Sequence, residues 1–309
     1  MPTPRRIFLK SSAVIAASVT LPGAPFSKDN DDLLPNINLG RHRVSRLIIG
    51  DNPFYGYSHF NKLFSEHMTE WSTPEHVCQT LRQCETVGIN TWQITYKERA
   101  VSDLQKHREG GGKIQFLVLG NHALEEDSSL IPKMAKLGAI GIVHHGVMTS
   151  RRWRAGEQSK IIDFIKAVRN SGVMTGVSVH DPAILDSIES QNWDVDFFMT
   201  ALYNRARAPE ELERILGKEV PLGEAFLPGD PEKMCKVIRQ SRKVCLAYKV
   251  LAAGRLIDSH ETKETAFRFA LENIKPTDGI IVGMYPRFTD QVKESADMVR
   301  SICGRPHAT

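Results

Sequence analysis

Residues 138–146 read GAIGIVHHG, and the fold turns on this stretch. An apolar run from Ile140 to Val143 is bounded by glycines and stops at two adjacent histidines, His144 and His145. A short run of this kind reads as a strand buried on both faces, the habit of parallel sheets covered by helices. Two other runs end in the same way, QFLVLGNH at His122 and GVSVHD at His180 and Asp181. The carboxyl ends of parallel strands are where an α/β barrel keeps its chemistry.

Working outward, strand-like and helix-like patterns alternate in both directions. Upstream lie VSRLIIGDN (44–52), GINTWQIT (88–95) and KIQFLVLGN (113–121). Downstream lie GVMTGVSVHD (172–181), VDFFMTALYN (195–204), KVCLAYKVLAAG (243–254) and GIIVGMYP (279–286). Helical patterns separate them; TPEHVCQTLRQCETVG, for example, has Thr73 as N-cap and Pro74 at the first helical position. Eight such strands over residues 37–304 predict an α/β fold of the (β/α)8 TIM-barrel type, with no second domain. A doubly wound open sheet would bring a GxGxxG turn, and none is present. Two connections are long, Tyr55–Ser72 and Arg205–Asp230. Both read as a lid or substrate wall, or else as aromatic cover for the barrel rim.

The 309 residues are 41% hydrophobic and 25% charged, the balance of a soluble globular protein. The net charge of +4 is scattered, so nothing points to nucleic acid. The one basic cluster, Arg151, Arg152 and Arg154 around Trp153, reads as a solvated loop. Five cysteines form no CxxC and read as small core residues.

The first 26 residues stand apart. PRRIFLK, with Arg5 and Arg6 followed by Phe8, Leu9 and Lys10, resembles a twin-arginine (Tat) export signal, although Pro4 stands where that signal usually has Ser or Thr. The resemblance implies the Tat export machinery as a partner, cleavage near Ala24, and a periplasmic or otherwise exported protein. The apolar part, Ala13–Leu21, is too short to span a bilayer, so no stable membrane span is expected after cleavage. Residues 27–36 read as a polar linker.

Four segments, in order, resemble the aldo/keto reductase superfamily: LGRHRVSRLIIGDN, GVSVHDPAILDSI, AYKVLAAGRL and IIVGMYPRFTDQVKESADMV. The resemblance implies the barrel and an NADP(H) site, with Asp, Tyr, Lys and His as the catalytic set. Here Gln93 stands for the Asp, Tyr96 or Glu98 lies near the tyrosine's place, and Leu119 or Gly120 replaces the Lys. His144 alone matches. Of the cofactor contacts, Ser178 persists, Val179 replaces an Asn, and Met199 or Thr200 occupies the place of a Gln. Tyr248 remains to stack on a ring and Arg287 to meet a phosphate. Without the Lys–Asp pair the tyrosine lacks the groups that tune its proton donation.

The strand ends carry something else instead. His122, His144 or His145, His180 and Asp181 fall at consecutive strand ends, and imidazoles with a carboxylate are a ligand set for Zn2+, Mn2+ or Fe2+. Alternation sends only one of His144 and His145 inward. Asp51, Asn52, Asn121, Asn204 and Lys249 add polar groups at other strand ends, Lys249 as base or oxyanion stabiliser or else as a surface ion pair.

The leading expectation is an exported barrel enzyme with metal-assisted, non-redox acid/base chemistry (lyase, isomerase or hydrolase) on a small sugar-like or carbonyl substrate. His122, His144, His180 and Asp181 are the expected ligands, and Lys249 or Tyr96 moves the proton. The alternatives are an NADP(H)-dependent oxidoreductase with a rewired site, using Ser178, Tyr248 and Arg287, and a non-catalytic small-ligand-binding protein.

Overall fold

The structure is a computed structural model that describes residues 34–217 and 223–304. The twin-arginine segment and most of the expected linker lie outside the described residues. A hairpin comes first, β1 (Asn36–Leu39) and β2 (His42–Ser45), paired antiparallel. Gly40, at φ +57°, supplies the left-handed residue of its two-residue turn. This hairpin corrects the end of the expected linker: Leu34 is only 2% exposed, and Asn36 already opens a strand.

Eight parallel strands then close into a barrel. They are β3 (Leu47–Gly50), β4 (Thr91–Thr95), β5 (Gln115–Gly120), β6 (Ala139–His144), β7 (Met174–Val179), β8 (Phe197–Ala201), β9 (Val244–Tyr248) and β10 (Gly279–Gly283). Each pairs with the next, and β10 returns to β3 with Ile280 opposite Leu47. The predicted strand 44–52 is broken at Arg46, whose guanidinium donates to the carbonyls of Asp278 and Leu271 and turns the chain from hairpin into barrel.

The helices up to the fifth strand are α1 (Lys62–Trp71), α2 (Pro74–Thr86), α3 (Glu98–Glu109), α4 (His122–Glu126), α5 (Leu130–Lys136), α6 (Gly146–Arg154) and α7 (Gln158–Asn170). Then follow α8 (Pro182–Ser190), α9 (Pro209–Leu216), α10 (Asp230–Gln240), α11 (His260–Asn273) and α12 (Gln291–Cys303). Thr73 caps α2 as its sequence predicts, accepting from the His76 N–H at 3.3 Å. The two long connections are partly helical, containing α1 and α9. The arginine cluster is not a loop. It forms the last turn of α6, where cations suit the helix dipole, and Arg152 pairs with Glu125 and Glu157.

Side-chain alternation splits the core in two. Ile48, Leu117, Val143, Phe197, Leu246 and Ile281 fill the barrel axis, with Ile37, Leu39 and Val44 of the hairpin packed into the same cluster. Their neighbours Ile49, Phe116, Ile142 and Phe198 face the helices. Packing on the axis is tight: a Cβ on Gly176 would lie 2.7 Å from the Phe197 ring. All five cysteines are free and four are buried, in keeping with their reading as core residues. No described helix is long and apolar enough to cross a membrane.

The β3–β4 ladder is short, with two paired positions, and a side chain extends it. Asp51, fully buried, accepts from the Thr95 backbone N–H at 2.6 Å and from its hydroxyl at 3.3 Å. Burial raises its carboxyl to about 6, against these bonds and the charge of Lys97. The native state therefore holds this proton after the unfolded chain has released it. Stability falls as pH rises from about 4 to 6 and is then level, by about 3 kcal/mol at most. Asp51→Asn, which keeps an acceptor for Thr95, is expected to remove that part of the pH dependence, read as urea midpoints of the two proteins at pH 4, 5, 6 and 7.

Candidate functional site

Alternation also chooses which strand-end groups reach the mouth. His144 has the parity of Ile142 and faces the helices. It is fully buried, its ring 5.1 Å from Phe164 of α7. Its Nδ1 lies 2.7 Å from Thr149 Oγ1 and its Nε2 2.8 Å from Glu125 Oε1, while Arg152 holds the other oxygen of Glu125 at 2.8 Å. Burial alone raises the Glu125 carboxyl, but the bonds from His144 and Arg152 outweigh it and bring it to about 2. This network joins α4, β6 and α6 outside the barrel.

His145 has the parity of Val143 and is the histidine turned to the mouth. Its Nδ1 accepts the Val147 N–H at 3.2 Å, capping α6. Burial, then the charges of His144, Arg205 and Lys249, lower it to about 4, so the ring is neutral at pH 7. On β7 and β9, Ser178 Oγ lies 3.0 Å from the Tyr248 hydroxyl, which lies 2.9 Å from His180 Nε2. His180 is buried with Nδ1 unpartnered, and burial followed by Lys249 and Arg205 pushes it well below the ordinary imidazole range.

Lys249 follows β9 directly and carries φ +65°; Ala252 and Ala253 are also left-handed. Such backbone costs a non-glycine residue about 1–3 kcal/mol, and observed strain of this kind gathers at functional sites. Here it accompanies an amine held among polar groups of the mouth, with Nζ 3.2 Å from His59 Nε2. Asn52 Nδ2 lies 3.0 Å from the same nitrogen. Nε2 is therefore the acceptor, and the proton on Nδ1 is donated to Glu224 Oε1 at 3.1 Å. Glu224 also pairs with Arg205. Arg255 stacks 4.1 Å above Phe226 and donates to the His59 carbonyl. Desolvation, then Arg205 and Arg255, drive Lys249 well below the usual ammonium range.

The loop carrying Arg205 is anchored. The buried carboxylate of Asp230 accepts from Arg207 at 2.8 Å and from the Asn204 N–H at 3.1 Å. A cavity of about 430 Å3 opens beside these groups, lined by Gly50, Gln93, His59, Tyr248, Lys249 and Gly283. Gly50 and Gly283 lie in its wall, where a Cβ would press on Ile281 and Pro53, and the far wall is apolar, with Phe64, Met68 and Tyr285. Gln93 Nε2, Arg205 Nε and Glu224 Oε2 are buried with no partner. Buried polar atoms are seldom left so; Gln93 lines the cavity itself, and Arg205 and Glu224 stand behind it, joined through His59, which lines it.

Of the expected residues, Ser178, His180, Tyr248 and Lys249 come together. The expected metal quartet does not. His122 is 60% exposed beside Glu126, Asp181 caps α8 by accepting the Ala183 N–H, and His144 is turned outward. Among the described residues no three His, Cys, Asp or Glu groups are placed to hold a metal. Tyr96 points into the helix layer, its hydroxyl on Glu98 at 2.6 Å, and Arg287 is exposed on the rim beside Phe288. His59, Arg205, Glu224 and Arg255 were not foreseen. Arg205 had a usable signal, since it lies just past Asn204 at the end of a predicted strand.

No family model and no curated protein matches this chain. Among solved structures, a truncated 3-deoxy-D-arabino-heptulosonate 7-phosphate synthase from Thermotoga maritima is similar, with TM-score 0.53 and 14% identity over 88% of this chain and 92% of its own. A phospho-2-dehydro-3-deoxyheptonate aldolase from Thermotoga maritima gives 0.51 and 12% over 88% and 73%. The glycerol dehydrogenase AKR11B4 from Gluconobacter oxydans, an aldo/keto reductase, gives 0.49 and 12% over 90% and 98%. The two likenesses above 0.5, at these identities, show the fold alone, an eight-stranded parallel β/α barrel.

His144→Ala removes the tie among α4, β6 and α6 and leaves Glu125 buried with Arg152 alone. It is expected to lower unfolding free energy by about 2–4 kcal/mol in urea titrations. Ligand affinity at the mouth, measured calorimetrically below the melting range, is expected to stay as in the parent.

Proposed function

We propose that this chain is a barrel enzyme performing non-redox acid/base chemistry on a small carbonyl or polyhydroxy, sugar-like compound, with Lys249 as the proton-transfer group. One observation carries the reading: a lysine on left-handed backbone at the edge of a cavity, its amine largely desolvated and acted on by two guanidinium groups. Such an amine gives up its proton more readily than an ordinary lysine, which favours the form a general base needs. His59 holds it in place, and Arg205 and Arg255 supply positive charge where an enolate or alkoxide oxygen develops. Proton removal next to a carbonyl is common to isomerisation and elimination, so the geometry suits both. The expected divalent metal does not fit the residues it was assigned, and no step is derived through it.

The sequence resemblance implies a nicotinamide cofactor, which makes an NADP(H)-dependent oxidoreductase the second reading. One feature favours it: the cavity extends between the ends of β9 and β10 to Gln291 and Ser295 of α12, the region where barrels hold phosphates. The reacting end does not fit hydride transfer. Leu119 stands for the lysine, Tyr96 and His144 face the helices, and Ser178 is bonded to Tyr248. In a third reading, binding without catalysis, the same cavity holds a ligand and Lys249 only neutralises it.

We also propose export by the twin-arginine route, supported by Arg5 and Arg6 and the short apolar run behind them. Replacing both arginines with lysine is expected to keep the protein in the cytoplasm, read by cell fractionation; unchanged export contradicts the proposal.

The chemistry is tested by deuterium wash-in from D2O at the carbon next to the carbonyl, followed by NMR across a panel of small ketones, keto-sugars and oxo acids. Lys249→Met is expected to slow exchange by at least about a hundredfold in a folded protein. The parent rate should rise as pH climbs through the lowered lysine pKa, because the neutral amine is the active form, and level off above it, below the range where ordinary lysines titrate. Exchange that survives the substitution contradicts the assignment. NADPH fluorescence enhancement with oxidation of the nucleotide would favour the second reading, and ligand binding without exchange the third.

A further inference from the structure

The mouth is short of negative charge. The cations acting on Lys249 are Arg205 and Arg255, and among the described residues Glu224 is the one carboxylate bonded into their cluster. The nearby Lys263–Glu294 pair, 2.6 Å apart, is closed on itself, and Asp51 is buried beneath with both oxygens on Thr95. The imidazoles of His59, His145 and His180 add no anion. Arg205 Nε, a donor on a positive group, is buried and unpartnered. An unpaired guanidinium donor close enough to act on Lys249, which lines the cavity, fits a carboxylate or phosphate oxygen better than a neutral group.

Lys249 has the features of a nucleophile as well as those of a base. It is partly accessible from the cavity that its side chain lines, held by His59 Nε2 at 3.2 Å, and carried on left-handed backbone. We infer that Lys249 forms a covalent imine with the carbonyl carbon of its substrate, and that this substrate carries a carboxylate or phosphate held by Arg205. The inference rests on the mouth being the active site and goes beyond it in naming the bond and the substrate class.

The amine lone pair attacks the carbonyl carbon; a C–N bond forms and the π pair moves to oxygen. One proton passes from nitrogen to that oxygen, with His59 Nε2 beside the nitrogen to relay it. A second proton, drawn from water, lets the oxygen leave as water and gives the protonated imine. No oxidant or reductant is used. The protonated imine returns a positive charge to a place that disfavours one. A substrate anion cancels it, so the site keeps the net charge it had when empty. A neutral carbonyl compound brings no such compensation, and the same crowding of cations that frees the amine opposes its imine. The preference for anionic carbonyl compounds follows from that balance.

The test is reductive trapping of the protein lacking its first 26 residues, 27–309, with cyanoborohydride. The probes are pyruvate and glycolaldehyde phosphate as anionic carbonyl compounds, and acetone and glycolaldehyde as neutral ones. One adduct per chain is expected on the Lys249 peptide, heavier by the carbonyl compound less one oxygen atom. The anionic probe of each pair should label at least about tenfold faster than its neutral counterpart. Labelling by pyruvate alone or by the phosphate alone identifies which anion the site takes. Arg205→Met, checked for folding by its melting curve, is expected to lose the anion preference while Lys249 still labels slowly. Labelling spread over surface lysines, or equal rates for anionic and neutral probes, overturns the inference. Lys249-dependent deuterium exchange without any trapped adduct overturns it too, while leaving Lys249 as a base. Exchange that ignores Lys249 removes both readings.

Discussion

Side chains of a strand alternate between its two faces, and in a closed barrel those faces are the axis and the helix layer. The site depends on this constraint. One residue of phase separates His144, locked on Glu125 and Thr149 behind the barrel wall, from His145 at the mouth. The same phase brings Ser178, His180 and Tyr248 into one hydrogen-bonded chain and sets Gly50 and Gly283 in the cavity wall. Val143, Phe197 and Leu246 fill the axis below, so slipping a strand by one would empty the core and the site together.

Above that packed floor, the governing quantity is charge. Burial and neighbouring guanidinium groups act in one direction on Lys249, His59, His145 and His180, favouring their neutral forms. The cluster is held from outside by Asp230, which fixes the Arg207 loop, and from within by Glu224, which joins Arg205 to His59. Bases biased toward their neutral forms beside a cationic rim are the arrangement on which the proposed carbonyl chemistry rests.

Much of the fold was legible because it is written locally. Runs such as FLVLG and GIVHH, spaced by capped helices, carry the barrel in their periodicity, and all eight expected strands are present in order. The β1–β2 hairpin was hidden because its four-residue strands are too short to show alternation against a polar background. Lys249, Tyr248, Ser178 and His180 were legible as strand-end groups. His59, Glu224 and Arg255 were not, since loops carry no period, and their convergence depends on tertiary closure. The choice of His144 over His145 came from matching a family pattern by position; a shift of one residue in where the strand ends was enough to reverse it. The metal set failed for a related reason: lying at neighbouring strand ends fixes a residue's height in the barrel but not the direction of its side chain.

The proposed chemistry requires that Lys249 release its proton well below the ordinary lysine range. This is tested most directly by NMR titration of protein labelled with 15N at the lysine side-chain nitrogens, with Lys249→Met used to assign the signal. One lysine is expected to titrate well below the rest. A Lys249 signal that titrates with the bulk lysines, near their ordinary value of about 10.4, would contradict it.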